Sequence, residues 1–120
     1  MSYIFYNKKG SLIAYTEGNC HVFSFTGEPL AYIDVISVYT YEGKHLGFYQ
    51  DGWIRDNDGI CVFFTKDAKG GPPRAMKDIG PVKSPKSKIP VKKPREQQLK
   101  KLDVKQVWSE LSSVKFFNHN

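Results

Sequence analysis

Cysteine is scarce in this chain. Only Cys20 and Cys61 occur, in neither a Cys-x-x-Cys pair nor a Cys/His cluster with zinc-ligand spacing. A disulfide framework and a zinc ribbon are thereby excluded. A bond between the two cysteines stays open, and two free thiols in a reducing, cytoplasmic compartment are the favoured reading. No stretch approaches eighteen apolar residues, and residues 1–10 mix Asn7, Lys8 and Lys9 among the aromatics. Neither a membrane-spanning helix nor signal-directed export is expected. Histidine is as thin: His21, His45 and His119 stand at unrelated places, too few to converge on a metal. Also missing are Gly-x-Ser-x-Gly, a phosphate loop ending in Lys-Ser/Thr, and His-Glu-x-x-His. Asp56-Asn57-Asp58-Gly59 lacks the alternating ligands and closing glutamate of a calcium loop and reads as a turn. The expectation is a protein that is not an enzyme and holds no metal or cofactor.

Proline and basic charge are missing from the first part of the chain and crowded into the second. Residues 1–71 contain one proline, Pro29, with six Lys/Arg against eight Asp/Glu, a net charge of −2. Residues 72–120 carry twelve Lys/Arg against four Asp/Glu, a net charge of +8. The whole-chain value of +6 therefore describes neither part.

What the first part has is a repeat. Gly10, Gly27, Gly43 and Gly59 are spaced 17, 16 and 16 residues apart. Three residues after each glycine stands an aliphatic side chain (Ile13, Leu30, Leu46, Val62), and five after it an aromatic (Tyr15, Tyr32, Phe48, Phe64). Five residues before it come Phe5, Val22, Val38 and Ile54. Short β-branched and aromatic runs flanking a polar turn that ends in glycine mark a β-hairpin, the glycine supplying positive φ. The four copies give four consecutive hairpins over residues 4–65. Pro29, directly after its turn, fits only an edge or non-bonded position. Because a lone hairpin is marginal in water, the copies must pack on one another. A period that stops cleanly after Phe64 favours closure into a pseudo-four-fold ring. With side chains alternating, the aliphatic and aromatic columns are expected on one inward face as the core.

From Lys66 the texture changes. Residues 72–94 hold Pro72, Pro73, Pro81, Pro85, Pro90 and Pro94 among lysines and read as an extended, polyproline-like linker with little fixed structure. Leu99, Leu102, Val107, Trp108, Leu111 and Val114 recur at spacings that predict an amphipathic helix over about residues 95–113. The expected organisation is a β domain over 1–71, a linker over 72–94, and a helix with an apolar tail over 95–120.

Hairpins with glycine turns, a Pro/Lys-rich stretch and the ending Trp108-Ser109-Glu110-Leu111-Ser112-Ser113-Val114-Lys115-Phe116-Phe117 together resemble the bacterial four-fold β-flower family. The resemblance covers nearly the whole chain. It implies a β domain of pseudo-four-fold symmetry and carries over no activity or catalytic residue.

The functional expectation is a non-enzymatic binding or protein-interaction module for an unknown protein or small ligand. Near-equivalent loops converging at one end of a ring offer a concave surface, with Lys8, Lys9, Glu28, Lys44, Asn57 and Asp58 as its candidates. Glu17, Asn19, Asp51 and Trp53 are expected at the other end, and Trp53 joins the candidate binding residues. Trp108, Phe116 and Phe117 are expected to dock, on their own domain or on a partner, since leaving them exposed is costly. The alternative is weak, non-specific nucleic-acid association through the basic tail. Aromatic residues such as Phe23 and Tyr39 are taken as packing residues ahead of a stacking platform.

Overall fold

A computed structural model describes residues 3–18, 20–97, 101–111 and 113–118. Its strands run in chain order: β1 (Ile4–Tyr6), β2 (Leu12–Glu17), β3 (His21–Ser24), β4 (Pro29–Asp34), β5 (Ser37–Tyr39), β6 (His45–Gln50), β7 (Trp53–Asp56) and β8 (Cys61–Phe64). Each is antiparallel to the next, and β1 closes on β8 through Tyr6 and Phe64. The result is the closed ring of four hairpins that the glycine period predicts.

The same local chemistry builds every turn. The N–H of Gly10, Gly27, Gly43 and Gly59 donates to the carbonyl three residues earlier at 2.9–3.0 Å. All four glycines have φ between 81° and 96°, which other residues adopt only at a cost. At the start of each turn stands a short polar side chain whose oxygen accepts from turn N–H groups: Asn7 Oδ1, Ser24 Oγ, Thr40 Oγ1 and Asp56 Oδ1.

One expectation about the core is overturned. In each hairpin the register slips by one residue just past the turn: Phe5 pairs with Ala14 but Tyr6 with Leu12, and Val38 with Gly47 but Tyr39 with His45. The same slip occurs at Val22/Phe23 and at Ile54/Arg55. The skipped residues are Ile13, Leu30, Leu46 and Val62. A bulge at that column resets the alternation. The aliphatic column accordingly packs with Phe5, Val22, Val38 and Ile54 in the interior cluster. The aromatic column, Tyr15, Tyr32, Phe48 and Phe64, is buried but lies outside that cluster. Tyr15 and Phe64 belong to separate clusters, the first with Phe23 and Phe25, the second with Trp53 and Trp108.

What buries this outer aromatic layer is the tail, and here the structure departs most from the sequence reading. Residues 72–94 are extended, but they have a fixed course along the barrel. The carbonyls of Met76, Pro85, Pro94 and Asp103 lie where a Cβ on Gly10, Gly27, Gly43 and Gly59 would stand, so each turn glycine admits one crossing of the tail. Two residues on, the N–H groups of Asp78, Ser87, Glu96 and Lys105 donate to those four glycine carbonyls at 2.8–3.1 Å. The crossings are nine residues apart in every case. The tail is thus a second repeat in phase with the first, a belt that visits the hairpins in order.

The helix expected over 95–113 is not there. Residues 95–97 and 101–111 are extended, Leu99 lies outside the described residues, and the one helix found among them is α1 (Ser113–Phe117). Backbone groups of Glu96, Lys105, Val107 and Ser109 are hydrogen-bonded to the barrel instead of to one another. The belt closes on itself where the Trp108 indole N–H donates to the Pro73 carbonyl at 2.9 Å. Nine polyproline-like residues span about 28 Å, so the three arcs between the four crossings come to about 84 Å, and the closing stretches from Asp103 to Trp108 and from Pro73 to Met76 add about 25 Å. That matches the perimeter of a molecule 36 Å across and 24 Å thick. Beyond the belt, α1 brings Phe116 into the interior cluster, where its ring meets Phe63 edge-on at 5.6 Å.

Candidate functional site

Most of the surface residues selected from the sequence do gather at one end of the barrel, around α1. Lys8 and Lys9 are exposed and line a cleft of about 270 Å³ with Ser109, Glu110 and Leu111. Glu28 and Lys44 line a second, of about 480 Å³, with Pro90, Phe117 and Asn118. Asn57 and Asp58 line a third, of about 200 Å³, with Leu111 and Phe116. Two of these residues are already engaged. The Asn57 side chain holds both the His45 ring, Oδ1 to Nδ1 at 2.6 Å, and the His45 carbonyl at 2.9 Å. The Asp58 carbonyl accepts from Lys105 Nζ.

Trp53 does not belong to that surface. Its side chain is fully buried, its indole N–H donates to the Lys69 carbonyl, and its ring meets Trp108 edge-on at 5.4 Å. A tryptophan beside a glycine turn resembles an exposed anchor in sequence, whereas here the belt's first and last residues cover it. Trp108, Phe116 and Phe117 all dock on their own chain. Asp51 is exposed, Glu17 is paired with Lys86, and Asn19 lies outside the described residues.

The more informative surface is the barrel's exterior beneath the belt. The groove over hairpin β3–β4 holds Lys83-Ser84-Pro85-Lys86-Ser87. Lys83 Nζ stands 4.3 Å from the centroid of the Tyr15 ring, and the Ser84 N–H donates to the Phe25 carbonyl at 2.8 Å. Pro85 crosses Gly27, Lys86 Nζ lies over Phe23 and pairs with Glu17 at 3.0 Å, and the Ser87 N–H donates to Gly27.

Over hairpin β5–β6 the groove holds Lys92-Lys93-Pro94-Arg95-Glu96 in the same way. Lys92 Nζ is 4.3 Å from the centroid of Tyr32, and the Lys93 N–H donates to the Tyr41 carbonyl at 2.9 Å. Pro94 crosses Gly43, Arg95 lies 4.9 Å from Tyr39 and pairs with Asp34, and the Glu96 N–H donates to Gly43. Each groove is assembled from two neighbouring hairpins: an aromatic and an acid from one, an aromatic and a glycine turn from the next.

One further contact explains Pro29. In the groove over β5–β6 the His45 N–H is turned toward the belt and donates to Glu96 Oε1 at 2.7 Å. At the equivalent place over β3–β4 stands Pro29, which has no N–H, and the belt residue in register is Ser87 in place of an acid.

Around these grooves burial moves several titrations. It lowers the His21 ring below its ordinary value, with Lys92 adding to the effect. It lowers His45 as well, against the pull of the Asn57 hydrogen bond and Glu96. Burial also raises the Cys61 thiol, with Arg55 opposing. Neither Cys61 nor Cys20 is in a disulfide. Among the described residues no group of three His, Cys, Asp or Glu side chains could hold a metal ion, and no helix is long and apolar enough to cross a membrane.

The grooves had a signal in the sequence that glycine spacing did not expose. Pro81-Val82-Lys83 and Pro90-Val91-Lys92 are identical triplets nine residues apart, and they run on into Lys83-x-Pro85-Lys86 and Lys92-x-Pro94-Arg95, which differ only by a Lys/Arg exchange at the last position. Comparison with known proteins adds a fold-level match: a family model described as 4-fold beta flower protein covers residues 4–117. No curated protein and no solved structure matches the chain.

Proposed function

Because the chain belongs to the 4-fold beta flower family, whose description states a fold and no activity, we propose on the geometry that it is a non-enzymatic protein-interaction module whose barrel binds extended polypeptide. The observation that carries this reading is the duplication just described. Two grooves hold two different five-residue segments by two equivalent backbone hydrogen bonds, equivalent ring-cation contacts and an acid in the same register, Glu17 in one and Asp34 in the other. Backbone bonding combined with side-chain contacts at fixed intervals is how surfaces recognise extended chain. The free thiols support a reducing, cytoplasmic setting.

The turn-end clefts are a second, smaller candidate surface, since Lys8, Lys9 and Glu28 remain exposed there. Nucleic-acid binding through the tail gains little support. Lys83, Lys86, Lys92, Lys93 and Arg95 are engaged with rings and carboxylates of this same chain, which reduces what is left to neutralise phosphates.

The test is to insert a protease recognition sequence at exposed Gly70, fold the full chain, cut it, and run size exclusion. The belt fragment is expected to co-elute with the barrel without a covalent link. Separation of the two on dilution into native buffer, with the barrel still folded by circular dichroism, would overturn the reading.

A further inference from the structure

We propose that the grooves over hairpins β3–β4 and β5–β6 are binding sites for basic, proline-containing segments of the pattern Lys-x-Pro-(Lys/Arg), occupied here by the chain's own belt and open to the same segment of a second copy of this chain. The proposal rests on the interaction-module reading and adds the ligand's chemistry to it.

Each position of the pattern has its reason in the groove. The first lysine needs an aromatic face, and Tyr15 and Tyr32 present one at the same 4.3 Å distance in the two grooves. The second residue contributes its N–H, to Phe25 or Tyr41, and so can vary; it is Ser84 in one segment and Lys93 in the other. The third passes its carbonyl against a turn glycine that has no Cβ to obstruct it. Proline suits that place because nothing in the groove requires its N–H, and it pre-sets an extended backbone, lowering the entropy lost on binding. The fourth must be a cation long enough to lie over Phe23 or Tyr39 and still reach Glu17 or Asp34.

The neighbouring grooves define the limits of the pattern. Over the hairpin β7–β8 the residue in register with Phe23 and Tyr39 is Arg55, and the one in register with Glu17 and Asp34 is Gln50. A second cation is not wanted there, and the belt supplies Val104. Around β1–β2 the acid's place is taken by Lys66. The Lys-x-Pro-(Lys/Arg) preference is therefore a property of two grooves of the four, set by which side chains the repeat has kept.

Access depends on the belt's letting go. Its contacts are distributed as single crossings separated by exposed arcs such as Pro81-Val82 and Pro90-Val91. One crossing can open while the others hold, which is the condition for replacement by a competing segment at high local concentration.

The experiment starts from the cut full-length protein, its belt fragment carrying a fluorophore. With the fluorophore at exposed Lys88 of the belt, a synthetic peptide of residues 83–96 is titrated in, and release of the labelled segment from its two grooves, the outer crossings still holding, is read by anisotropy. The peptide is expected to release the belt at a concentration about ten-fold or more below that of a scrambled peptide of the same composition. Replacing Lys83 and Lys92, or Lys86 and Arg95, by alanine in the peptide is expected to weaken it about three- to five-fold per cation removed. Equal potency of the scrambled peptide would overturn the proposal by showing that charge alone is read. No release by any peptide would overturn it too, while a belt that stayed bound after cutting would leave the broader reading standing. Because the peptides need not fold, these outcomes do not depend on a variant's stability. Mixing two differently tagged, uncut populations separates the sources. A mixed cross-linked species formed through the belt is expected, and its absence with peptide release intact would overturn the second copy as donor.

Discussion

At the column four residues before each turn glycine stand Tyr6, Phe23, Tyr39 and Arg55, and the belt residues in register with them are Lys77, Lys86, Arg95 and Val104. Where the barrel offers a ring the belt offers a cation, and where the barrel itself carries the cation the belt turns aliphatic. Arg55 is fully buried, and its Nη1 donates to the carbonyls of Gly59 and Lys105 at 2.9 and 2.6 Å, which spreads its charge over backbone dipoles. His45 lies on β6, the strand paired with that of Arg55, and is a second buried titratable residue. It is fully buried, and among the described residues its Nε2 has no hydrogen-bond partner. Burial is the main reason its ring titrates below 6.5, so the folded protein takes up this proton less readily than the unfolded chain does. The contribution to stability is whole above the unfolded value and is lost as pH falls through the lower, folded one. Unfolding in urea at about pH 8 and about pH 5 should therefore show a smaller loss of midpoint for His45→Gln than for the parent protein. Identical losses would mean that the ring is not held neutral by the fold. His21 titrates in the same direction and keeps some slope in the variant.

Among the elements, α1 is the one whose existence depends wholly on its surroundings. Five residues are too few to form a stable helix in water. Phe116, 1% exposed, is its anchor, whereas Val114 is 68% exposed and contributes no comparable burial. Phe116→Ala should cost about 3–5 kcal/mol of unfolding free energy by opening a cavity beside Phe63. Val114→Ala should cost less than about 0.5 kcal/mol. Urea denaturation of the pair measures both, and comparable costs would show that α1 does not plug the barrel. The belt poses the opposite problem: a long extended chain with one edge facing water invites pairing with other chains. Its prolines at 81, 85, 90 and 94 and its exposed lysines guard against that.

The two repeats differ in how openly the sequence shows them, for a reason that lies in what each must do. The hairpins need glycine at positive φ at every turn, so their period is written in a residue that no other replaces cheaply. Ring closure followed from that pattern. The inward face did not, because a bulge reverses alternation without leaving a mark in residue type. The belt needs only an extended backbone at each crossing, which many residues allow, so Met76 and Asp103 stand where Pro85 and Pro94 do. Its apolar residues, sampled at nine-residue intervals, fall by accident near helical spacing from Leu102 to Leu111. Docking of Trp108, Phe116 and Phe117 was legible from their cost in water, whereas the groove-binding residues showed only in a repeated Pro-Val-Lys triplet, and the grooves beneath them only as aromatics taken for ordinary packing.

A belt in phase with a ring has a geometric consequence at the scale of the whole molecule. Nine fully extended residues reach at most about 30–32 Å, a few ångströms more than the same nine in a polyproline conformation. Removing one residue from an arc takes away about 3.3 Å, so the remaining residues must straighten to keep both crossings. Adding one merely lets the arc bow outward, at an entropic cost of a few tenths of a kcal/mol. Lys88 is the place to test this, being exposed and lying on the arc between the Gly27 and Gly43 crossings. Deleting Lys88 should release one of the two flanking crossings, seen as loss of hydrogen-exchange protection at either the Ser84 and Ser87 amides or the Lys93 and Glu96 amides. Inserting a glycine after Lys88 should leave both pairs protected. If deletion and insertion act alike, the belt is a loosely laid tail, and the match between its period and the perimeter of the ring is coincidence.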